Sequence, residues 1–151
     1  MKILDLGCGG NKYKSPNPED VVIGLDKIKY DGVDVVHDLD VFPYPFENNQ
    51  FDVVIVKHVI EHLKDTVKVM EEIHRILRLD GIIKMEYPVY PNPNAFKDPT
   101  HLHVFTYDSF YFFCPMTDFG KENMQCTKAR FEIVNKLDDA YNTYIELRAI
   151  K

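Results

Sequence analysis

Ile3-Leu4-Asp5-Leu6-Gly7-Cys8-Gly9-Gly10 decides how this chain is read. A strand-like run passes straight into closely spaced glycines, where no Cβ keeps a ligand away from the backbone. Such a bend at the carboxyl end of a first strand marks the ligand crevice of open α/β sheets, although a plain tight turn is written with the same letters. Outward from it, short apolar runs bounded by turn residues recur. Lys2 to Leu6, Val21 to Leu25, Val33 to Val36 and Val53 to Val56 read as strands. Val53-Val54-Ile55-Val56 has no polar break, the pattern of a strand covered on both faces in a parallel sheet.

Met70, Ile73 and Leu77, with Val69 and Ile76 beside them, predict a helix from about Thr66 to Leu79. Asp65 or Thr66 can cap it, and Asp80-Gly81 ends it and turns into a strand, Ile82 to Tyr87. Strand, helix and strand in this order make a right-handed βαβ unit. Prolines at 88, 91, 93 and 99 make Pro88 to Pro99 a loop, and a short aromatic helix is expected near Asp108 to Phe113. Farther on, Phe131 and Ile133, then Ile145, Leu147 and Ala149, alternate with charged residues. That period predicts an antiparallel hairpin at a sheet edge, joined through Leu137-Asp138-Asp139-Ala140. Only Asn11 to Asp20, with Pro16 and Pro18, separate the glycine bend from the second strand. The first crossover helix is therefore expected to be one turn long or absent.

The polar residues at strand ends carry the chemistry. Asp26 stands 19 residues beyond Gly7, at the end of the second strand. An acid at that interval accepts hydrogen bonds from ribose hydroxyls in nucleotide-binding sheets. His37-Asp38-Leu39-Asp40 follows the third strand, where Asp38 suits an exocyclic amine and Leu39 a base. Lys57-His58-Val59-Ile60-Glu61-His62-Leu63 lies at once beyond the most buried strand, where charge is costly unless it is used.

The 151 residues fit one domain, 1–151, and 45% of them are hydrophobic, a folded composition. The formal charge is −6 and no Lys/Arg run forms a phosphate-binding stripe, so duplex nucleic acid is not an expected partner. Cys8, Cys114 and Cys126 are odd in number and far apart, which fits free thiols in a reducing compartment. No apolar run reaches membrane-spanning length and Met1-Lys2 leads directly into strand residues, so a cytoplasmic location is expected.

Taken together, these motifs resemble the class I S-adenosylmethionine-dependent methyltransferases of the small-molecule type. Leu4-Asp5-Leu6-Gly7-Cys8-Gly9 resembles the family's first motif and Asp26 its ribose-binding acid. Phe51-Asp52, the strand after it and Val59-Ile60-Glu61-His62-Leu63 resemble its fourth-strand motif, and Met70 to Leu79 with Asp80-Gly81 its helix before strand five. A closer similarity is to a short subgroup that begins almost directly at the glycine motif. That subgroup carries Gly-Cys-Gly-x-Asn-Lys, as in Gly7 to Lys12, and a loop like Asp98-Pro99-Thr100-His101 before Phe105-Thr106.

The resemblance implies an α/β, Rossmann-like three-layer sandwich with a seven-stranded, mostly parallel sheet of order 3-2-1-4-5-7-6. It implies S-adenosylmethionine as cofactor, met by Asp5, Gly7, Cys8, Gly9, Asp26, Lys27, Asp38, Leu39, Lys57 and His58. The acceptor it implies is a small or saccharide-related molecule, in a pocket shaped by the loop Pro88 to Thr106 and by Cys114 to Cys126. An acceptor hydroxyl or amine needs a proton removed, and histidine suits that near neutral pH. His101, after the proline-rich loop, is the first candidate and His58 the second; His62 and His103 read as structural. The histidines show no metal-ligand spacing, and no metal is expected. Lys12 and Lys14 read as solvated, and most of Phe105, Tyr107, Phe110, Tyr111, Phe112 and Phe113 as cover for the open end of the sheet. Two other functions compete. A nicotinamide-dependent oxidoreductase would need a third glycine where Lys12 stands. A non-catalytic partner subunit would share the fold, and a second copy or partner chain would close a crevice left open by missing amino-terminal helices.

Overall fold

A computed structural model describes residues 1–151. Lys2–Leu6 (β1) pairs in parallel with Val21–Asp26 (β2) on one side and Phe51–Lys57 (β4) on the other, which sets Leu4 beside Ile23 and Val54. Val35–Val36 (β3) adds to β2, and Leu77–Pro88 (β5) to β4, also in parallel. Asn142–Ala149 (β7) then runs antiparallel to β5, and Phe131–Asp138 (β6) antiparallel to β7 at the edge. The sheet order is β3-β2-β1-β4-β5-β7-β6, the order the resemblance implied, and it ends in the hairpin that the alternation predicted.

Side-chain alternation divides the sheet into two unlike faces. Leu4, Leu6, Leu25, Val54, Val56, Ile83, Met85, Ile145 and Leu147 belong to a cluster of 28 buried residues. Against them packs Thr66–Ile76 (α1), which buries Val69, Met70, Ile73 and Ile76, with Asp65 Oδ1 accepting from the Lys68 N–H at its start. Phe105, Phe110 and Phe113 extend the same cluster around Tyr87. These aromatics cover the end of the core, as the sequence suggested.

The layer on the second face is the segment between β1 and β2. Residues 7–20 contain no helix, so the short crossover is realised as an extended strap across Ile3 and Val53, which are buried beneath it. Asp5 Oδ2 accepts from the Tyr13 N–H at 2.7 Å, and Asp20 ties down the Ser15 hydroxyl and the Asn17 amide. Farther along, this face is finished by charge: Lys84 pairs with Glu146 at 2.9 Å and Arg148 with Glu132 at 3.7 Å across neighbouring strands.

Three details depart from the sequence reading. The helix ends at Ile76, not Leu79, because Leu77 opens into β5 and pairs with Phe51; Asp80, at φ +60°, makes the turn. The third strand shrinks to two residues, since the Asp34 carboxylate takes the Gly24 N–H at 2.7 Å and the Lys12 ammonium at 2.9 Å. The proline-rich loop holds one short helical turn, Asn94–Lys97 (α2).

The connection before β4 hangs on one side chain. The Arg75 guanidinium donates to Glu72 with two nitrogens, to the carbonyls of Tyr44 and Phe46, and to Asn48 Oδ1, while Glu72 accepts from the Tyr44 N–H. Arg75→Ala is expected to destabilise by about 2–3 kcal/mol, because it strands several acceptors and a half-buried carboxylate. Urea unfolding would show this as a lower midpoint with unchanged slope.

Candidate functional site

The glycine bend is built by its neighbours. The N–H groups of Gly7 and Cys8 both donate to the Leu25 carbonyl, at 2.7 and 3.1 Å, which folds the bend over the end of β2. Gly7 lies at φ +74°, and a Cβ there would stand 2.5 Å from Val59 Cγ2. Both facts demand glycine. Gly9, at φ +54°, has nothing within 4 Å of where its Cβ would be. One glycine is needed for packing; the other leaves bare backbone facing open space.

Asp26 ends β2 beside this bend. Its Oδ2 accepts from the Gly9 N–H and its Oδ1 from the Ile28 N–H, each at 2.9 Å. Each carboxylate oxygen has two acceptor directions, so one on each remains for a ligand while the rotamer is already fixed. The carboxylate and the bend open on a crevice of about 340 Å³, bounded by Gly7, Asp26, Lys27, Asp38, Leu39 and His58. Sequence reasoning singled out all six. It did not single out Asp40, Val59, Leu63 and Thr100, which complete the wall with His62. Their signal was only adjacency to residues already chosen.

Leu39 is buried, and its carbonyl accepts from the Tyr44 hydroxyl at 3.0 Å. Asp38 is exposed, with Oδ1 turned to the Asp40 N–H. A second recess meets the crevice at Gly7 and His58 and is bounded by Asp5, Cys8, Lys12, Tyr13 and Lys57. Asp5 is nearly buried, and burial raises its pKa against the opposing Tyr13 N–H. Cys8 is buried in the bend, and its thiol is pushed up to about 11, first by burial and then by the nearby Asp5 and Asp26 carboxylates. Lys12 is ion-paired with Asp34, its stem crossing Gly24, where a Cβ would come within 2.7 Å of it.

His58 stands at the junction of the two recesses with a left-handed backbone, φ +51°. Its Nε2 lies 3.1 Å from Glu86 Oε1 and its Nδ1 3.6 Å from Glu61 Oε1. The Glu61 carboxylate, assisted by that of Glu86, raises the imidazole pKa in spite of partial burial. Lys57 pairs with the other Glu86 oxygen at 2.9 Å, and the Tyr144 hydroxyl donates to Oε1 at 2.8 Å. His101 sits one layer farther back. Its Nδ1 is on the Ala95 carbonyl at 3.2 Å and its ring meets the edge of His62 at 4.7 Å, while Thr100 and His62 form the crevice wall in front. His103 is held by the Lys64 carbonyl.

No helix of the chain is long and apolar enough to cross a membrane. The family described as a methyltransferase domain matches residues 4–85, from β1 through β5. A demethylmenaquinone methyltransferase of Lactococcus lactis is 30% identical over 112 residues, which are 60% of this chain and 44% of that protein. The chain thus spans less than half the length of that relative. Among solved structures, a SAM-dependent methyltransferase from Aquifex aeolicus superposes with a TM-score of 0.70 at 14% identity, over 99% of this chain and 82% of the other. A Haloferax volcanii complex of the Trm112 methyltransferase activator with a putative methyltransferase gives 0.68 at 13%, over 99% and 83%. The [4+2]-cyclase SpnF gives 0.64 at 14%, over 97% and 73%, so the fold alone does not fix the chemistry. With the first-strand glycines, the acid ending β2 and the sheet order all in place, the match across the first five strands settles the family: the chain belongs to the class I S-adenosylmethionine-dependent methyltransferases.

Proposed function

We propose that the chain binds S-adenosylmethionine in the crevice at Gly7, Gly9 and Asp26 and transfers its methyl group to a small-molecule acceptor. The observation that carries this is the Asp26 carboxylate, fixed by the Gly9 and Ile28 N–H groups with an acceptor direction free on each oxygen. That arrangement suits two vicinal hydroxyls of a ribose. Asp38 and Leu39 lie on the adenine side of this reading, and the recess at Asp5, Lys12 and Lys57 on the amino-acid side.

The sulfonium supplies a methyl carbon whose bond to sulfur breaks, the electron pair staying on sulfur, as an acceptor lone pair bonds to that carbon. What the chain does is hold and exclude. The glycine bend admits the ligand against bare backbone. His58, kept between Glu61 and Glu86, presents a cationic or hydrogen-bonding edge where the two recesses meet, and orients the acceptor there. His101 acts through His62 and Thr100 as a positioning residue. A nicotinamide coenzyme fits poorly, since no helix follows the glycine bend to receive a pyrophosphate at its N-terminus. The crevice opens at the carboxyl edge of the sheet with room for a partner chain or second copy over it, which size-exclusion with and without ligand would reveal.

Calorimetry tests the reading directly. Purified chain is expected to release heat with S-adenosylmethionine and with S-adenosylhomocysteine and none with NAD. Silence with both sulfur compounds, or tight NAD binding, overturns it.

A further inference from the structure

Beside the crevice stands a second constellation, whose residues the reading above uses only to wall the crevice and to position His58 and the acceptor. Ile60–His62 forms a single 3-10 turn after β4, and loop 98–103 lies against it. The Glu61 carbonyl accepts from the N–H groups of Leu102 and His103, at 2.8 and 3.2 Å, so main-chain bonds hold the two segments together. Glu61, His62 and His101 each offer one ligand atom, all within 4.8 Å of one another.

The side chains in this place are unfinished. Glu61 is 1% exposed, yet its Oε2 has no hydrogen-bond partner, and the nearest cationic group to Oε1 is His58 Nδ1 at 3.6 Å, beyond hydrogen-bond reach. A buried carboxylate left in that condition is costly unless a cation meets it. Both imidazoles, meanwhile, have Nδ1 committed to main-chain carbonyls: His62 to Thr100 at 3.3 Å, with the Thr100 hydroxyl at 3.0 Å, and His101 to Ala95 at 3.2 Å. With Nδ1–H donating, each Nε2 keeps its lone pair. This is how proteins orient histidines that ligate a metal. Asp98 adds negative charge, its Oδ2 3.8 Å from His101 Nε2.

We propose that Glu61, His62 and His101 bind a divalent transition-metal cation of the zinc class at the edge of the crevice. Two imidazole nitrogens and one carboxylate oxygen favour Zn²⁺, Co²⁺ or Fe²⁺ over the all-oxygen sites of Mg²⁺ and Ca²⁺. Ligands of a tetrahedral zinc lie roughly 3.3 Å apart, so the three side chains close slightly around the ion. Three protein ligands leave a coordination position, and His62 and Thr100 are themselves crevice wall. On the methyl-transfer reading, on which this last step rests, that position takes an acceptor bearing an oxygen donor such as a hydroxyl. No ligand spacing marks it along the chain, because the ligands come from two segments brought together only by the fold.

Cobalt substitution tests the site without relying on activity. Tag-free chain of residues 1–151, stripped with a chelator and dialysed against Co²⁺, is expected to take up one equivalent and show the visible d–d bands of a four- or five-coordinate N/O site, bleached by Zn²⁺. Glu61→Gln, His62→Gln and His101→Gln are each expected to weaken uptake by at least about 100-fold. No uptake by the wild-type chain overturns the proposal and leaves protonated imidazole as the partner of Glu61. Thiolate-to-cobalt charge-transfer bands, or uptake equal in wild type and His101→Gln, overturn it by placing the metal elsewhere. S-adenosylhomocysteine titrations of the same wild-type preparation keep the two questions apart, since cofactor heat without cobalt bands defeats only the metal and cobalt bands without cofactor heat only the methyl-transfer reading.

Discussion

Asp26→Ala is expected to lower the affinity for S-adenosylhomocysteine by about 100-fold or more. On the reading above the carboxylate accepts two ribose hydroxyls. Hydrogen bonds to a charged group contribute about 1.5–3 kcal/mol each, and about 1.4 kcal/mol is a factor of ten. A second loss adds to this, because Asp26 also fixes the N–H groups of Gly9 and Ile28, and without it the bend has no reason to hold its shape before the ligand arrives. Asp26→Asn separates the two effects. Its amide keeps the volume but turns a donor toward one of those N–H groups, so an intermediate loss of about tenfold is expected. Calorimetric titration measures both variants, with urea midpoints to confirm that they fold. Affinity within threefold of wild type for Asp26→Ala would remove the ribose from this carboxylate.

The largest effect on stability is expected far from the crevice. Gly120 lies in the short helix Asp118–Glu122 (α3), capped by Thr117, whose Oγ1 accepts from the Gly120 N–H. A Cβ at this position would stand 2.0 Å from the Cys114 carbonyl oxygen and 2.7 Å from that of Tyr111. Neither obstacle is the end of a flexible side chain, so the backbone itself must move. Overpacking of a core typically costs about 1–3 kcal/mol, and a clash between main chains belongs at or above the top of that range. Gly120→Ala is therefore expected to cost about 3 kcal/mol or more, a large share of a stability of about 5–15 kcal/mol. Gly10→Ala is the control: nothing but Tyr30 Cβ, at 4.0 Å, faces its Cβ, and its midpoint is expected to stay within about 0.5 kcal/mol of wild type. Equal midpoints for the two variants would contradict the packing described here.

Much of the crevice was legible because its determinants are local. A strand, two glycines and an acid at the next strand's end are adjacent or nearly so in sequence, and regular sheet pairing brings Gly7, Asp26 and His58 to one edge. The sheet order came from the resemblance, which periodicity alone does not supply. What depended on distant partners was not legible. The helix stops early because Phe51 claims Leu77, and the third strand shortens because Asp34 serves Gly24 and Lys12. The Arg75 clamp and the burial of Glu61 are equally invisible, since a charged residue in a polar stretch looks solvated until the fold closes over it. His101 was chosen for its loop, and the loop does reach the crevice; it is Thr100 and His62 that form the wall.

The two unlike faces of the sheet bear on how this molecule responds to heat and salt. With helix α1 and the aromatics on one side and cross-strand ion pairs finishing much of the other, unfolding exposes less hydrocarbon per residue than in a sheet sandwiched by helices. A small heat-capacity increment and a broad stability curve against temperature are therefore expected, which scanning calorimetry would measure. The exposed cross-strand pairs add little to its height, and salt is expected to take away that little.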